Sequence, residues 1–489
     1  MADIIEKKIN SSGFLFSSYG PWVSQYSGTG VLYFADGLKV SCSFEVGQLG
    51  NGDIPLICGF SKSDLLPEKS LMIWSSDNTP ERFEGITKEG IKLTSEGCMH
   101  YSSCLHNDMP DTNLVAWYSF SLQKLVALIN DNSQPCSIRY GLTNAEVFGF
   151  EPLKIGNLQQ SVLHLQLKTH EGIANKLTII PIKDHNKIMS RIKTLRSVDV
   201  TCEVEFNISG VKSPEKLVDA LCYLLSIAQG TKVQWIYEIE YDIGNRPIRQ
   251  LHFERVTRPY TPLNIIDEIA DAGRQLKQFL EITYPNYVQK CNNYKLDCGT
   301  VDAYLDAKID GTYLELRGVK LAVAMEMLKT VYLELPNCPI NEYCIHNDQF
   351  QALVPGIKNA IYETLGGTGI SISDKESITN EKKIESLNRK SFRAILNKLC
   401  KEIKFEAGEE LELFVKCRNS LIHTGCFYCS RATEKEKCKY PALASKKDEW
   451  LFLTNFVDRI FLKLLGYTGP YIDYRDAKVR WSGHPNSKI

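Results

Sequence analysis

The sequence predicts an α+β, multidomain protein: a β-rich N-terminal domain, sandwich- or barrel-like, followed by an all-α helical bundle. Three observations carry this expectation. Through residues 1–257, apolar side chains alternate with polar ones at period two, the spacing that puts one face of a strand inside. Beyond residue 263 the apolar residues recur at helical spacing. Between them, Arg258-Pro259-Tyr260-Thr261-Pro262 brackets a short segment with prolines, and we set the limits at 1–257 and 263–489.

Leu38, Val40, Cys42, Phe44 and Val46 alternate after Asp36-Gly37, which reads as a two-residue hairpin turn from Val31-Leu32-Tyr33-Phe34. Further strands run through Leu163–Leu167, through Val200, Cys202, Val204, Phe206 and Ile208, and through Val233, Trp235, Tyr237, Ile239 and Tyr241. One helix interrupts them. Ser213 suits its N-cap, Pro214 its first turn and Gly230 its end, with Leu217, Leu221, Leu224 and Ala228 as the apolar stripe.

In the second half, Ile265, Ile269, Ala272, Leu276, Phe279 and Leu280 predict one helix, and Leu321, Ala324, Met325, Leu328, Tyr332 and Leu335 another. Phe350, Leu353, Ile357 and Ile361 predict a third, which Pro355 should break or kink. The polar, Gly/Ser/Thr-rich stretch near 366–385 reads as an exposed flexible loop. Its Gly366-Gly367-Thr368-Gly369 lacks the Lys-Ser/Thr of a phosphate-binding loop. Phe392, Ile395, Leu396 and Leu399 line a helix leading to residues 411–425, and Trp450, Leu453, Val457, Ile460, Phe461 and Leu464 a final one ended near Gly466. An antiparallel bundle joins such helices economically.

Composition bounds the function. The chain has 489 residues, 43% hydrophobic and 24% charged, which is ordinary for a globular protein with several cores. A net charge of −1 argues against a broad nucleic-acid-coating surface and leaves room only for a local basic cleft. The start, Met1-Ala2-Asp3-Ile4-Ile5-Glu6-Lys7-Lys8, has no signal-peptide run, and no stretch has transmembrane length, so we expect a cytoplasmic protein without a membrane partner. Sixteen cysteines in that setting imply reduced thiols rather than a disulfide framework.

The most chemical segment is Arg418-Asn419-Ser420-Leu421-Ile422-His423. A guanidinium offers a rigid, always-charged fork to phosphate oxygens, and an imidazole moves protons near neutral pH. Asn419 and His423 stand four apart and share a helix face, with Arg418 one step round. Leu411, Phe414, Val415 and Ile422 fall on the core side, and Gly425 is placed to end the helix. His423 would serve as base toward a ribose 2'-OH or as acid toward the 5'-oxygen. Arg418 would stabilise the charged transition state, and Asn419 would orient His423 or hold a phosphate oxygen.

With the flanking Leu411-Glu412-Leu413-Phe414-Val415-Lys416-Cys417 and Thr424-Gly425, this segment resembles the R-x(4–6)-H signature of HEPN-domain ribonucleases. A β-rich part ahead of such a domain is similar to the ApeA-type anti-phage defence proteins of bacteria. The resemblance implies a HEPN-like bundle whose motif helices pair in a homodimer or a dimer of dimers, building one site from two copies. It implies a metal-independent endoribonuclease that leaves 2',3'-cyclic phosphate ends, cuts cellular RNA such as tRNA on infection, and causes abortive infection. The β domain would then sense a phage-derived trigger. The other reading is a noncatalytic HEPN module that binds nucleotide, RNA or protein beside a ligand-sensing β domain.

Catalysis of this kind requires no cofactor. Cys426-x-x-Cys429 with Cys438 supplies candidate ligands for a structural zinc, with His423, Cys417 or a distant His as fourth. If His423 bound zinc, it could not also move protons. Cys98-x-His100-x3-Cys104-x-His106 and Cys338-x5-Cys344-x-His346 match no strong metal pattern and read as local packing.

Overall fold

A computed structural model describes residues 22–61, 79–105, 114–130, 133–155, 158–172, 174–255, 257–261, 263–267, 273–294, 298–309, 312–334, 338, 341–366, 369–378, 380–475 and 487–488. The N-terminal part is β-rich and the C-terminal part helical, as the two periodicities require. Strands β1 (Trp22–Phe34), β2 (Lys39–Leu49), β3 (Pro55–Ser61), β4 (Pro80–Thr87), β5 (Lys92–Leu105) and β6 (Leu114–Leu128) pair antiparallel in the order β3-β2-β1-β4-β5-β6. Pairing of β3 with β6 closes them into a barrel. Closure leaves no free edge inside this unit. Val40, Cys42, Phe44 and Val46, the residues of one parity on β2, fill its interior with Leu32, Phe83, Leu93, Tyr118 and Leu125.

β6 is shared. Its first part faces β3, while Lys124–Leu128 pair with β13 (Pro247–Phe253). From there the sheet continues through β12 (Gln234–Tyr241), β7 (Ser137–Thr143), β11 (Val200–Asn207), β10 (Ala174–Pro181), β9 (Leu158–Lys168) and β8 (Glu151–Ile155). Helix α1 (His185–Leu195) connects β10 to β11, and α2 (Pro214–Gln229) covers the sheet over β12.

The first hairpin differs from the two-residue turn. Phe34 N–H donates to Leu38 O (3.0 Å), Gly37 N–H returns to Phe34 O (3.0 Å), and Gly37 has φ +83°. The loop is therefore Ala35-Asp36-Gly37, with glycine in the left-handed position of a bulge. The α2 boundaries match expectation, and Gly230 ends the helix at φ +62°, although the Ser213 side chain makes no cap bond.

The helical part comprises α3 (Arg274–Tyr294), α4 (Cys298–Asp306), α5 (Leu314–Leu333), α6 (Asn347–Leu365), α7 (Ile372–Ile378), α8 (Glu381–Ser386), α9 (Phe392–Glu402), α10 (Gly408–Thr424), α11 (Glu434–Lys439) and α12 (Lys446–Leu464). α5 is the hub, packing on α4, α9, α10 and α12. Gly318 lets α10 come close, since a Cβ there would sit 2.9 Å from the Leu421 side chain and 3.1 Å from Phe427. Phe414 of α10 stacks on Phe456 of α12 with centroids 4.4 Å apart. Each such fully buried apolar side chain contributes about 1.5–3 kcal/mol.

Three expectations change here. Ile265 does not begin a helix: the Ile265 and Ile266 N–H groups donate to Ala228 O (2.7 and 3.0 Å), so both buried side chains pin the linker to the end of α2. Ile269 and Ala272 lie outside the described residues, and the helix through Leu276 and Phe279 starts at Arg274. The loop expected near 366–385 contains α7 and α8. Ser371 Oγ accepts the Asp374 N–H (3.1 Å), and Ile384 is buried against Phe350 and Val354. α6 continues through Pro355, whose side chain sits on a mostly exposed helix face.

The change from strands to helices at 257–263 does not divide the core. One apolar cluster runs from Tyr140, Leu165 and Val204 through Leu221 and Phe279 to Leu328, Phe414 and Phe456. Among the described residues the two large cores are therefore the closed barrel and this cluster, with small satellites at Met189/Ile192/Tyr260, Val200/Ile236/Tyr237 and Phe350/Val354/Ile384.

Candidate functional site

α10 carries the site because its sequence gives it one deeply buried stripe. Leu411, Phe414, Cys417 and Leu421 face the core, and Glu409 and Glu410 occupy the first turn where the helix dipole favours carboxylates. Gly425 closes it at φ +67°, with its N–H on Leu421 O (2.9 Å).

Arg418 and Asn419 are joined: Arg418 Nη1 donates to Asn419 Oδ1 at 2.8 Å. The guanidinium leaves the exposed face and turns toward the seam with α5 and α9. It lies 4.6 Å above the Phe392 ring of α9, and its Nη2 forms an ion pair with Glu326 of α5. Glu326 also holds Lys329, Nζ to Oε2 at 2.7 Å. The Arg418 side chain is only 13% exposed. Its Nε is buried with no partner among the described residues.

His423 is elsewhere on the cylinder. It is exposed in the last turn of α10, and its side chain makes no hydrogen bond or ion pair among the described residues. Asn419 is exposed on the same face, as four-residue spacing requires. The structure thus brings Arg418 and Asn419 together and leaves His423 open to solvent. Ile422, expected toward the core, is 37% exposed beside His423. Val415 is half-buried. On the neighbouring α5, Leu316 and Val323 are exposed, whereas Val319 packs on the core edge and Met327 lies against Gly299 of α4.

Glu326, Lys329 and the ring of Phe392 were not legible as site residues. Glu326 stands 92 positions before Arg418, and nothing local marks it. Phe392 reads as an ordinary core position of α9, which its apolar spacing also supports.

The candidate zinc ligands do not converge. Cys426 and Cys438 are exposed, whereas Cys429 is buried. Cys429 lies with Cys417 against the fully buried Glu449, whose carboxylate accepts the N–H groups of Tyr428 (2.9 Å) and Cys429 (2.7 Å). Burial, reinforced by that carboxylate, pushes the Cys429 thiol up to about 11 and the Cys417 thiol higher. Thiolates, the zinc-binding form, are disfavoured at such a place. Among the described residues no group of three or more His, Cys, Asp or Glu is arranged to hold a metal.

Of the other clusters, Cys98 is buried in the barrel, where burial raises its thiol to about 12. His100 and Cys104 belong to β5, and His106 lies outside the described residues. Cys338 packs on the core edge, Cys344 is exposed and His346 precedes α6, its ring 3.6 Å from Asp348. Gly367 and Thr368 also lie outside the described residues. No helix among the described residues is long and apolar enough to cross a membrane. Comparison with protein-family models, with characterised proteins and with solved structures finds no match to this chain.

Proposed function

We propose that this chain is a metal-independent endoribonuclease of HEPN type, acting in anti-phage defence as a homodimer or an assembly of dimers. The observation that supports it is the geometry of α10. Arg418 and Asn419 are hydrogen-bonded on a rigid helix that stops at Gly425, two residues past an exposed His423. His423 draws the proton from a ribose 2'-OH, which attacks the adjacent phosphorus and expels the 5'-oxygen. The products are a 2',3'-cyclic phosphate and a 5'-hydroxyl, and no water enters the bond-breaking step. Arg418 supplies positive charge to the crowded phosphate.

One imidazole cannot be base and acid in the same step, so a second copy supplies the other. The exposed Leu316 and Val323 of α5 and Ile422 of α10 are apolar surface that such pairing would cover. In this reading the β-rich part senses a phage-derived trigger, and cleavage of cellular RNA, tRNA among the candidates, halts the infected cell.

Arg418→Ala and His423→Ala are each expected to abolish new 2',3'-cyclic phosphate ends and phage protection, His423→Ala with oligomeric state and melting temperature retained and Arg418→Ala with the chain still folded at a somewhat lower melting temperature. Sequencing RNA ends from infected cells measures this. Persistence of the cuts in either variant would remove the assignment.

A second reading is favoured by one observation, the neutralisation of Arg418 by Glu326 in a nearly closed seam. A guanidinium held that way can be purely structural, and the chain would then be a noncatalytic binding module. Protection by the wild-type chain without any RNA cut would select it.

A further inference from the structure

We infer that Glu326 is the resting occupant of the anion site that Arg418 presents to RNA, and that an RNA phosphate binds there by displacing the Glu326 carboxylate. This rests on the assignment of Arg418 to the RNA-cleaving site. Three groups fix the guanidinium. Phe392 lies under one face, Asn419 Oδ1 takes an Nη1 hydrogen, and the Glu326 carboxylate takes Nη2. A carboxylate and a phosphate make the same charge-assisted contacts to an arginine fork, so one can stand in for the other. The two cannot both be close without like-charge repulsion.

The exchange has a built-in recipient. Lys329 lies one turn along α5 from Glu326 and already holds its other oxygen at 2.7 Å. When a phosphate takes its place on Arg418, Glu326 keeps Lys329 as its cation, and no charge is left unpaired. Glu326 is 28% exposed and Lys329 21%, so this pair can move into solvent, whereas Arg418 at 13% is the enclosed member. The unpartnered, buried Arg418 Nε supplies a further donor that the Glu326 contact does not use. Glu326 therefore lowers the affinity of the unoccupied site for polyanions, a property suited to a nuclease that must spare RNA at rest.

The test uses the full-length protein and two probes, a mixed-sequence single-stranded RNA fully 2'-O-methylated so that it cannot be cut, and the same sequence with 2'-OH groups. Glu326→Gln is expected to bind the uncleavable RNA about tenfold more tightly than wild type, the scale of one removed like charge, and to cut the second without a trigger. Arg418→Ala should lose both properties, and Glu326→Gln with Arg418→Ala should match Arg418→Ala. Glu326→Asp keeps the charge but draws it back by one methylene, and should fall between wild type and Glu326→Gln. It carries the test if the glutamine variant melts early. Equal or weaker RNA binding by a folded Glu326→Gln, with Arg418→Ala still inactive, would overturn the inference and leave the ribonuclease reading intact. Unchanged binding and cleavage in Arg418→Ala would overturn both.

Discussion

Lys308 and Asp458 form an ion pair sealed from water, Nζ to Oδ1 at 2.9 Å, with side chains 1% and 2% exposed. Tyr304 O–H donates to the same carboxylate oxygen, and Lys308 also donates to Leu263 O at 3.4 Å. The pair thus ties the linker, the residues after α4, and α12. Burial pulls the lysine down and the carboxyl up toward neutrality, and each charge opposes this in the other.

Removing one member strands the other. Lys308→Met should cost about 3–5 kcal/mol, whereas Lys308→Met with Asp458→Leu should recover most of that loss. Urea unfolding followed by tryptophan fluorescence measures it, because Trp235 and Trp450 are buried in the same core. A midpoint unchanged by Lys308→Met would show that the pair contributes nothing to that core.

The junction between the barrel and the rest of the sheet should be acid-sensitive through His252. Gln48 Nε2 donates to Ile236 O (2.9 Å) and Phe253 O (3.0 Å), so its Oε1 must accept from His252 Nδ1 (2.9 Å). Nε2 lies 3.3 Å from Ser24 Oγ, a hydroxyl that donates to it when the ring is neutral, the form that burial favours. Burial lowers its pKa to about 3. The folded value lies below the unfolded one near 6.5, so this stabilisation is complete above pH 6.5 and is lost as pH falls toward 3. From pH 7 to pH 5 it removes about 2 kcal/mol. His252→Asn should be less stable at pH 7 and should lose less between pH 7 and pH 5. Equal losses in the two proteins would exclude His252 as the sensitive group.

Local chemistry explains which parts were legible. Strand parity on β9 and on the first half of β2 was readable because one face is buried there, whereas bulges at Val200/Cys202 of β11 and Trp235/Tyr237 of β12 send Val200 and Tyr237 to a different cluster from Cys202 and Trp235. The ends of α2 and α10 were readable because only Gly230 and Gly425 adopt the left-handed turn there. Barrel closure through β3 and β6 was not, since it depends on register between strands far apart in sequence. The core that crosses residues 257–263 was hidden for a related reason: Ile265 and Ile266 have apolar spacing that suits a helix but bond to Ala228 instead. At the site, Arg418, Asn419 and His423 are close in sequence, whereas Glu326 arrives only because Gly318 lets α5 approach α10.

On the proposed ribonuclease reading, cleavage should survive EDTA at the rate seen without it, because a 2'-OH nucleophile with Arg418 and His423 needs no metal-bound water. Cys426 and Cys438 are exposed. Cys426→Ser with Cys438→Ser should change stability by no more than about 0.5 kcal/mol and leave cleavage intact. Loss of stability in that variant, together with stoichiometric zinc in the wild-type protein, would instead establish a zinc site.

The end of α10 should matter more to activity than to stability. A Cβ at residue 425 would meet nothing within 4 Å, so Gly425→Ala meets only the backbone cost of φ +67°, about 1–2 kcal/mol. That cost is relieved by unwinding the last turn, which holds His423 and is anchored by the Gly425 N–H on Leu421 O. If His423 transfers the proton as proposed, losing its fixed position costs activity far more than it costs the helix. Gly425→Ala should therefore lower the melting temperature by a few degrees and RNA cleavage by ten-fold or more, the order expected for a displaced acid–base group. Gly425→Asn, which tolerates the left-handed conformation, should restore both. Parallel losses of melting temperature and cleavage in the alanine variant would mean that the turn supports the fold and not the position of His423.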